Sequence, residues 1–172
     1  MNLIVRTIAL APVLLLAGCL SSTKPMLPVD GGTMVLADGG RYATYERLSD
    51  GKFKKDETIT VRPRDKTHYD FVNAKGDVTP VAFYPLSNGL YVAQAEVREK
   101  KESSYGYFMI RIKGSDVLVY APQCDKQDKQ KLAALGVTMR GKYECVLDSV
   151  ADPKALFAAL DIGPVVSMMV RE

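Results

Sequence analysis

VTPVAFYPLSNGLYVAQAEVREKKESSYGYFMIRIKGSDVLVY, residues 78–120, is the stretch whose reading decides the fold. It breaks into the runs Val78 to Tyr84, Leu90 to Val97, Tyr105 to Ile112 and Asp116 to Tyr120. Each is rich in β-branched and aromatic residues, which suit a pleated, half-buried backbone. Ser87-Asn88-Gly89 and Lys113-Gly114-Ser115 stand between runs and tolerate the positive φ of tight turns. Short connections join antiparallel neighbours, so the stretch predicts a four-strand antiparallel meander.

Side-chain alternation along these runs carries the next step. Phe108, Ile110 and Ile112 share the expected core face, with Tyr105, Tyr107, Met109 and Arg111 on the other. From Leu90 to Val97, one side holds Tyr91, Ala93, Ala95 and Val97, and the other Leu90, Val92, Gln94 and Glu96. Neither side is cleanly polar, so both faces should be partly covered. That predicts a mainly β (α+β) domain built as a strongly curved sheet or partly closed barrel.

Upstream, Arg41 to Arg47, Thr58 to Arg62 and His68 to Val72 read as further strands, with turns at Ser49-Asp50-Gly51 and Lys75-Gly76-Asp77. Asp30-Gly31-Gly32 and Asp38-Gly39-Gly40 are also turns: neither is followed by Gly-Lys-Ser/Thr, and neither has Rossmann spacing. The mixed-sign stretches Lys52 to Glu57 and Arg98 to Glu102 read as solvated hairpin tips, whose lysines could also meet anionic headgroups. Downstream, Asp125 is the expected cap of a helix over Lys126 to Leu135, stopped at Gly136 with Leu132 and Val137 spaced for a Schellman contact. Gly141 to Leu147 reads as a strand with Tyr143, Cys145 and Leu147 on one side. Asp152-Pro153 opens a second short helix lined by Leu156, Phe157 and Leu160. Gly163-Pro164 stops it, and Val165 to Val170 is apolar enough for a last buried strand.

The first nineteen residues speak to compartment. Arg6 is followed by the apolar block Thr7 to Leu16, half the length that a membrane-spanning helix needs and interrupted by Pro12. The block runs into Leu16-Ala17-Gly18-Cys19. This layout resembles the lipobox signal peptide of small bacterial lipoproteins. The resemblance covers only these residues and implies removal of residues 1–18, with a diacylglycerol on Cys19 and, in many species, a further fatty acid such as palmitate on its amine. One acyl chain binds reversibly, whereas two or more hold stably. Leu20, where an Asp would signal retention at the inner membrane, implies outer-membrane anchoring, with the domain expected to face the periplasm. Residues 19–32, marked by Ser21, Ser22, Pro25 and Pro28, read as the lipidated N-terminus and tether, and residues 33–172 as a single β-rich domain.

Removing eighteen of 172 residues leaves 154, one domain by size, with 22 basic and 20 acidic side chains and hence a net charge of +2. That balance gives no basis for a nucleic-acid partner. With Cys19 committed to lipid, Cys124 and Cys145 remain for a disulfide, as an oxidising compartment allows, contributing about 3 kcal/mol. A chain with one histidine offers no zinc set, and no cofactor is expected.

The function expected is a non-catalytic binding or interaction module of the envelope. Its partner would be a protein, glycan or lipid, met through a candidate face of Tyr105, Tyr107 and Arg111, with Gln94 and Glu96 across from them. Size, anchor and single disulfide are similar to those of lysozyme-inhibitor lipoproteins, so inhibition of an envelope-directed enzyme is one form of this. The rival is a small hydrolase in which His68 and Asp70, two apart on one strand, prepare a base. It would need a nucleophile, and no Gly-x-Ser-x-Gly elbow or paired-carboxylate signature is present.

Overall fold

Strands β1 (Leu20–Ser22), β2 (Gly40–Arg47), β3 (Phe53–Pro63), β4 (His68–Val72), β5 (Val78–Pro85), β6 (Leu90–Glu99), β7 (Glu102–Lys113) and β8 (Asp116–Tyr120) follow one another along the chain. Helix α1 (Lys129–Ala134), strands β9 (Thr138–Arg140) and β10 (Glu144–Val146), helix α2 (Pro153–Ala159) and strand β11 (Val165–Arg171) complete it. The computed structural model describes residues 20–36, 38–99 and 102–172. The expected signal peptide, residues 1–18, and Cys19 lie outside the described residues.

The meander forms and continues into a closed antiparallel barrel of eight strands, β2-β3-β4-β5-β6-β7-β8-β11. β11 closes it by pairing with β8 on one edge and β2 on the other, Met168 lying between Leu118 and Tyr45. Closure leaves no free edge in the wall.

Alternation sorts the side chains into two clusters. Tyr42, Ile59, Val61, Tyr69, Phe71, Phe83, Ala93, Ile110 and Val119 fill the barrel, and Leu36, outside the strands, packs in with them. An interior of eight strands is just wide enough for side chains to fill, and here they do. The opposite residues of the same strands, Tyr84, Val92, Tyr107 and Met109, are buried on the outside of the wall under Leu132, Leu147, Leu156 and Phe157. Phe108 and Ile112 pack against the interior cluster, as expected. The doubly apolar character of β6 thus has its cause: one side faces the barrel and the other the C-terminal layer.

β7 is long enough to use one edge twice. β8 takes Met109 to Lys113, and β1 takes Tyr105 and Gly106. β1 also runs parallel to β10, Leu20 beside Cys145, and β10 pairs with β9 to form a small side sheet.

This corrects the expected tether. Residues 20–28 belong to the folded domain: Leu20 is 1% exposed and Leu27 4%, both in the outer cluster. Serines 21 and 22 find strand partners, so their polarity does not mark free chain.

The C-terminal third needs smaller corrections. A disulfide joins Cys124 to Cys145, with sulfurs 2.04 Å apart. It holds Cys124–Lys126 as a separate 3-10 turn, after which Gln127 is extended. The α-helix therefore starts at Lys129, capped by Asp128, whose carboxylate accepts from the amides of Gln130 and Lys131. Its stop is as expected: Gly136 has φ +84°, Val137 N–H donates to Leu132 O (3.0 Å), and both apolar residues join the outer cluster. Asp152 caps α2 with Pro153 in its first turn. Gly141 to Tyr143 form a turn between β9 and β10, so Tyr143 points out, 59% exposed, while Cys145 and Leu147 are buried. Lys54 to Glu57, expected in a hairpin tip, lie within β3 opposite β2.

Candidate functional site

The register of β6 on β7 places Gln94 across from Tyr107 and Glu96 across from Tyr105, not Ala93 and Ala95, which a one-residue shift would have put there. The open face expected there is not formed, because the chain's own residues 22–28 lie on it. Ser22 Oγ and Tyr107 Oη are 2.7 Å apart and buried, and Met26 N–H donates to the same phenol at 3.0 Å. Leu27 N–H donates to Gln94 Oε1 (3.0 Å), and Tyr84 Oη donates to Pro28 O (2.8 Å). Tyr107 is 1% exposed and Gln94 5%. Burial pushes both Tyr84 and Tyr107 up to about 12, so the phenols stay protonated. Two of the five candidate residues therefore hold the N-terminal segment.

Of the other three, Glu96 is pinned by Arg98 (2.9 and 3.1 Å) and by the Ser103 hydroxyl, which hold its carboxyl below the usual range. Arg111 is exposed beside Leu90 and Leu118, six residues along β7 from Tyr105. Tyr105, half-buried, remains available, and it lines a cleft.

That cleft, of about 280 Å³, lies between β1, the first half of β7, and β10. Its origin is in β7. The alternate positions that carry Phe108 and Ile110 into the barrel carry Ser104 and Gly106 farther back, and Ser21 stands opposite Gly106. There β7 has run past the end of β8 and pairs with β1 instead, and the hollow lies over these small residues. Its rim is polar: Ser21 Oγ donates to Glu144 Oε1 (2.9 Å), Arg140 pairs with Glu144 (3.5 Å), and Asp148 accepts from Thr23 N–H and Oγ1 (2.7 and 3.0 Å). Both carboxylates thus brace the entering strand while facing the hollow. Only Tyr105 of this set was a candidate from sequence. The others are scattered along the chain, and the fall from Phe to Gly to Ser along β7 is the one local sign of the hollow.

His68 lies elsewhere, at the β3–β4 turn. Its carboxylate neighbour is Asp65, 3.3 Å from Nδ1, not Asp70, which pairs with Arg64 at 3.2 Å. Asp65 Oδ1 also accepts from the amides of Thr67 and His68 and from the Thr67 hydroxyl. These bonds, led by the Thr67 amide, lower its carboxyl to about 2. The cluster closes a turn, and Asp70 does not take part in it.

Among the described residues, no group of three or more His, Cys, Asp and Glu could hold a metal ion, and no helix is long and apolar enough to cross a membrane. No protein-family model, no curated protein and no solved structure matches the chain.

Proposed function

We propose that this chain is a lipid-anchored cell-envelope protein, held at the outer membrane through Cys19 and facing the periplasm. Its domain works as a non-catalytic interaction module. The observation that carries the reading is the described hollow, which sits outside the barrel's packed interior, beside the strand by which the chain enters the domain. The Leu16-Ala17-Gly18-Cys19 motif supports the anchor, and the Cys124–Cys145 bridge suits an oxidising compartment. The hydroxyls, paired charges and Tyr105 of the rim favour a polar partner, such as an extended peptide or a glycan, over a buried apolar ligand.

Two measurements in the native host test this. Mass spectrometry of the mature N-terminus should find an acylated Cys19, and Cys19→Ser should release the protein from membranes. A photo-reactive side chain at Tyr105 should then cross-link a partner that the same group at Lys113, in the β7–β8 turn, does not. Equal products from both positions would remove the cleft from the proposal, and an unmodified N-terminus would remove the anchor.

A further inference from the structure

Resting on the lipid anchor just proposed, we infer a second membrane contact: the tip of the β9–β10 hairpin, from Arg140 at the end of β9 through the turn to Tyr143, seats on the headgroups of anionic phospholipids next to that anchor. Register places the turn. β1 and β10 are parallel, Leu20 beside Cys145 and Ser21 beside Val146, so both strands start at the same end of the side sheet. The chain enters the fold at that end, and Gly141-Lys142-Tyr143 project from it.

Slack between anchor and domain decides whether this matters. Leu20 is 1% exposed and held between β7 and β10, and the lipid-bearing residue is its immediate neighbour. A flexible tether would let the domain turn freely over the bilayer. Without one, groups at this end of the side sheet are held within side-chain reach of the headgroup layer, and a weak contact there becomes intramolecular.

The chemistry of the turn matches that layer. Tyr143 is 59% exposed and outside both apolar clusters, and Lys142 Nζ lies 5.0 Å from its ring centroid. A single exposed aromatic is ordinary on a protein surface; its position beside the entry point gives this one a use. Tyrosine concentrates at the membrane–water interface, where its ring meets acyl chains and its hydroxyl meets water. Lys142 and Arg140, whose side chain is 67% exposed, add positive charge for a negative surface. The opposing charge is Glu144, 3.5 Å from Arg140, half-buried and turned toward Ser21 Oγ. The turn therefore presents two cations and a phenol outward, with its carboxylate behind them.

The chain contains no tryptophan, so Tyr143→Trp gives a single reporter. The processed protein, extracted from membranes with its anchor, is reconstituted into vesicles of phosphatidylcholine and phosphatidylglycerol carrying a headgroup spin label. The expected result is blue-shifted emission and strong quenching of Tyr143→Trp. Leu48→Trp, in the β2–β3 turn and beside β3, four strands from β7 either way round the barrel, should stay unquenched. Arg140→Glu with Lys142→Glu, or vesicles of phosphatidylcholine alone, should lower the quenching, with circular dichroism and an intact disulfide reporting the fold. If the protein floats with the vesicles but Tyr143→Trp is not quenched, the contact is overturned and the anchor stands. Equal quenching at both positions also overturns it. If Cys19 carries no lipid, the anchor itself fails.

Discussion

Tyr107 Oη and Ser22 Oγ lie 2.7 Å apart in a buried site, 85 residues apart in the chain. This contact joins the barrel wall to the entering strand, and the same phenol accepts from Met26 N–H at 3.0 Å. Tyr107→Phe keeps the ring and removes the shared oxygen, leaving the Met26 N–H without its acceptor and Ser22 Oγ with Lys24 O alone (2.5 Å). The expected cost is about 1–3 kcal/mol, read as a lower urea midpoint. Ser22→Ala added to Tyr107→Phe should then cost less than it does alone. Simple additivity would show that the two groups are not coupled.

The bridge between Cys124 and Cys145 closes a sequence separation of 21. Opening it by Cys124→Ser with Cys145→Ser should lower stability by about 3 kcal/mol through the unfolded chain's regained freedom. Thermal melts of the oxidised protein and the double variant would measure this, and coincident melts would contradict it.

Alkali should unfold the protein over a defined window. Tyr84 and Tyr107 are raised by burial from 10.0 to about 12. Their protonated forms belong to the folded state, so their contribution is intact below about pH 10 and is lost as pH rises through about 12. Tyrosinate absorbance and circular dichroism followed together should show these phenols ionising with loss of structure. Ionisation of all nine tyrosines near 10.0 with the fold retained would refute it.

At Gly136, φ is +84° and an added Cβ would stand 2.5 Å from the Ser149 carbonyl oxygen. Gly136→Ala therefore meets both an unfavourable backbone conformation and a backbone neighbour. A loss of about 1–3 kcal/mol is expected, and a smaller loss for Gly141→Ala, which meets the backbone strain of a similar φ but no neighbouring atom. Denaturant midpoints of the two variants decide the matter.

The doubly covered, curved meander was legible because burial on both faces leaves a local mark, whereas closure by β11 was not, since it joins strands far apart in the chain. A strand covered on both sides cannot show a clean polar face, and Leu90 to Val97 shows none. The Schellman stop and the Asp152-Pro153 start were legible for the same reason, since each is fixed by residues within one turn. β1 was not. Three residues carry no measurable period, and Leu20-Ser21-Ser22 has the composition of a linker; only the pairing with Gly106 and Val146 makes it a strand. Competition between two equal caps misplaced the first helix start. Asp125 and Asp128 are chemically alike, and it is Asp128 whose carboxylate accepts from the helix amides, while Cys124–Lys126 form a separate 3-10 turn. The open tyrosine face failed because Tyr107 and Gln94 recognise a segment of their own chain, which strand alternation cannot reveal.

Because β11 closes the barrel against β2, with Val170 beside Ala43 and Arg171 beside Tyr42, the first of the eight wall strands to be made has its partner in the last of them. β1 likewise waits for Val146. Until β11 is made and pairs, Ile59, Phe71 and Phe83 have no sealed interior to enter, and pairings this distant in sequence form slowly. The nascent polypeptide must therefore be kept from sticking to its neighbours until that strand is available, a burden that falls on whatever holds it before folding begins.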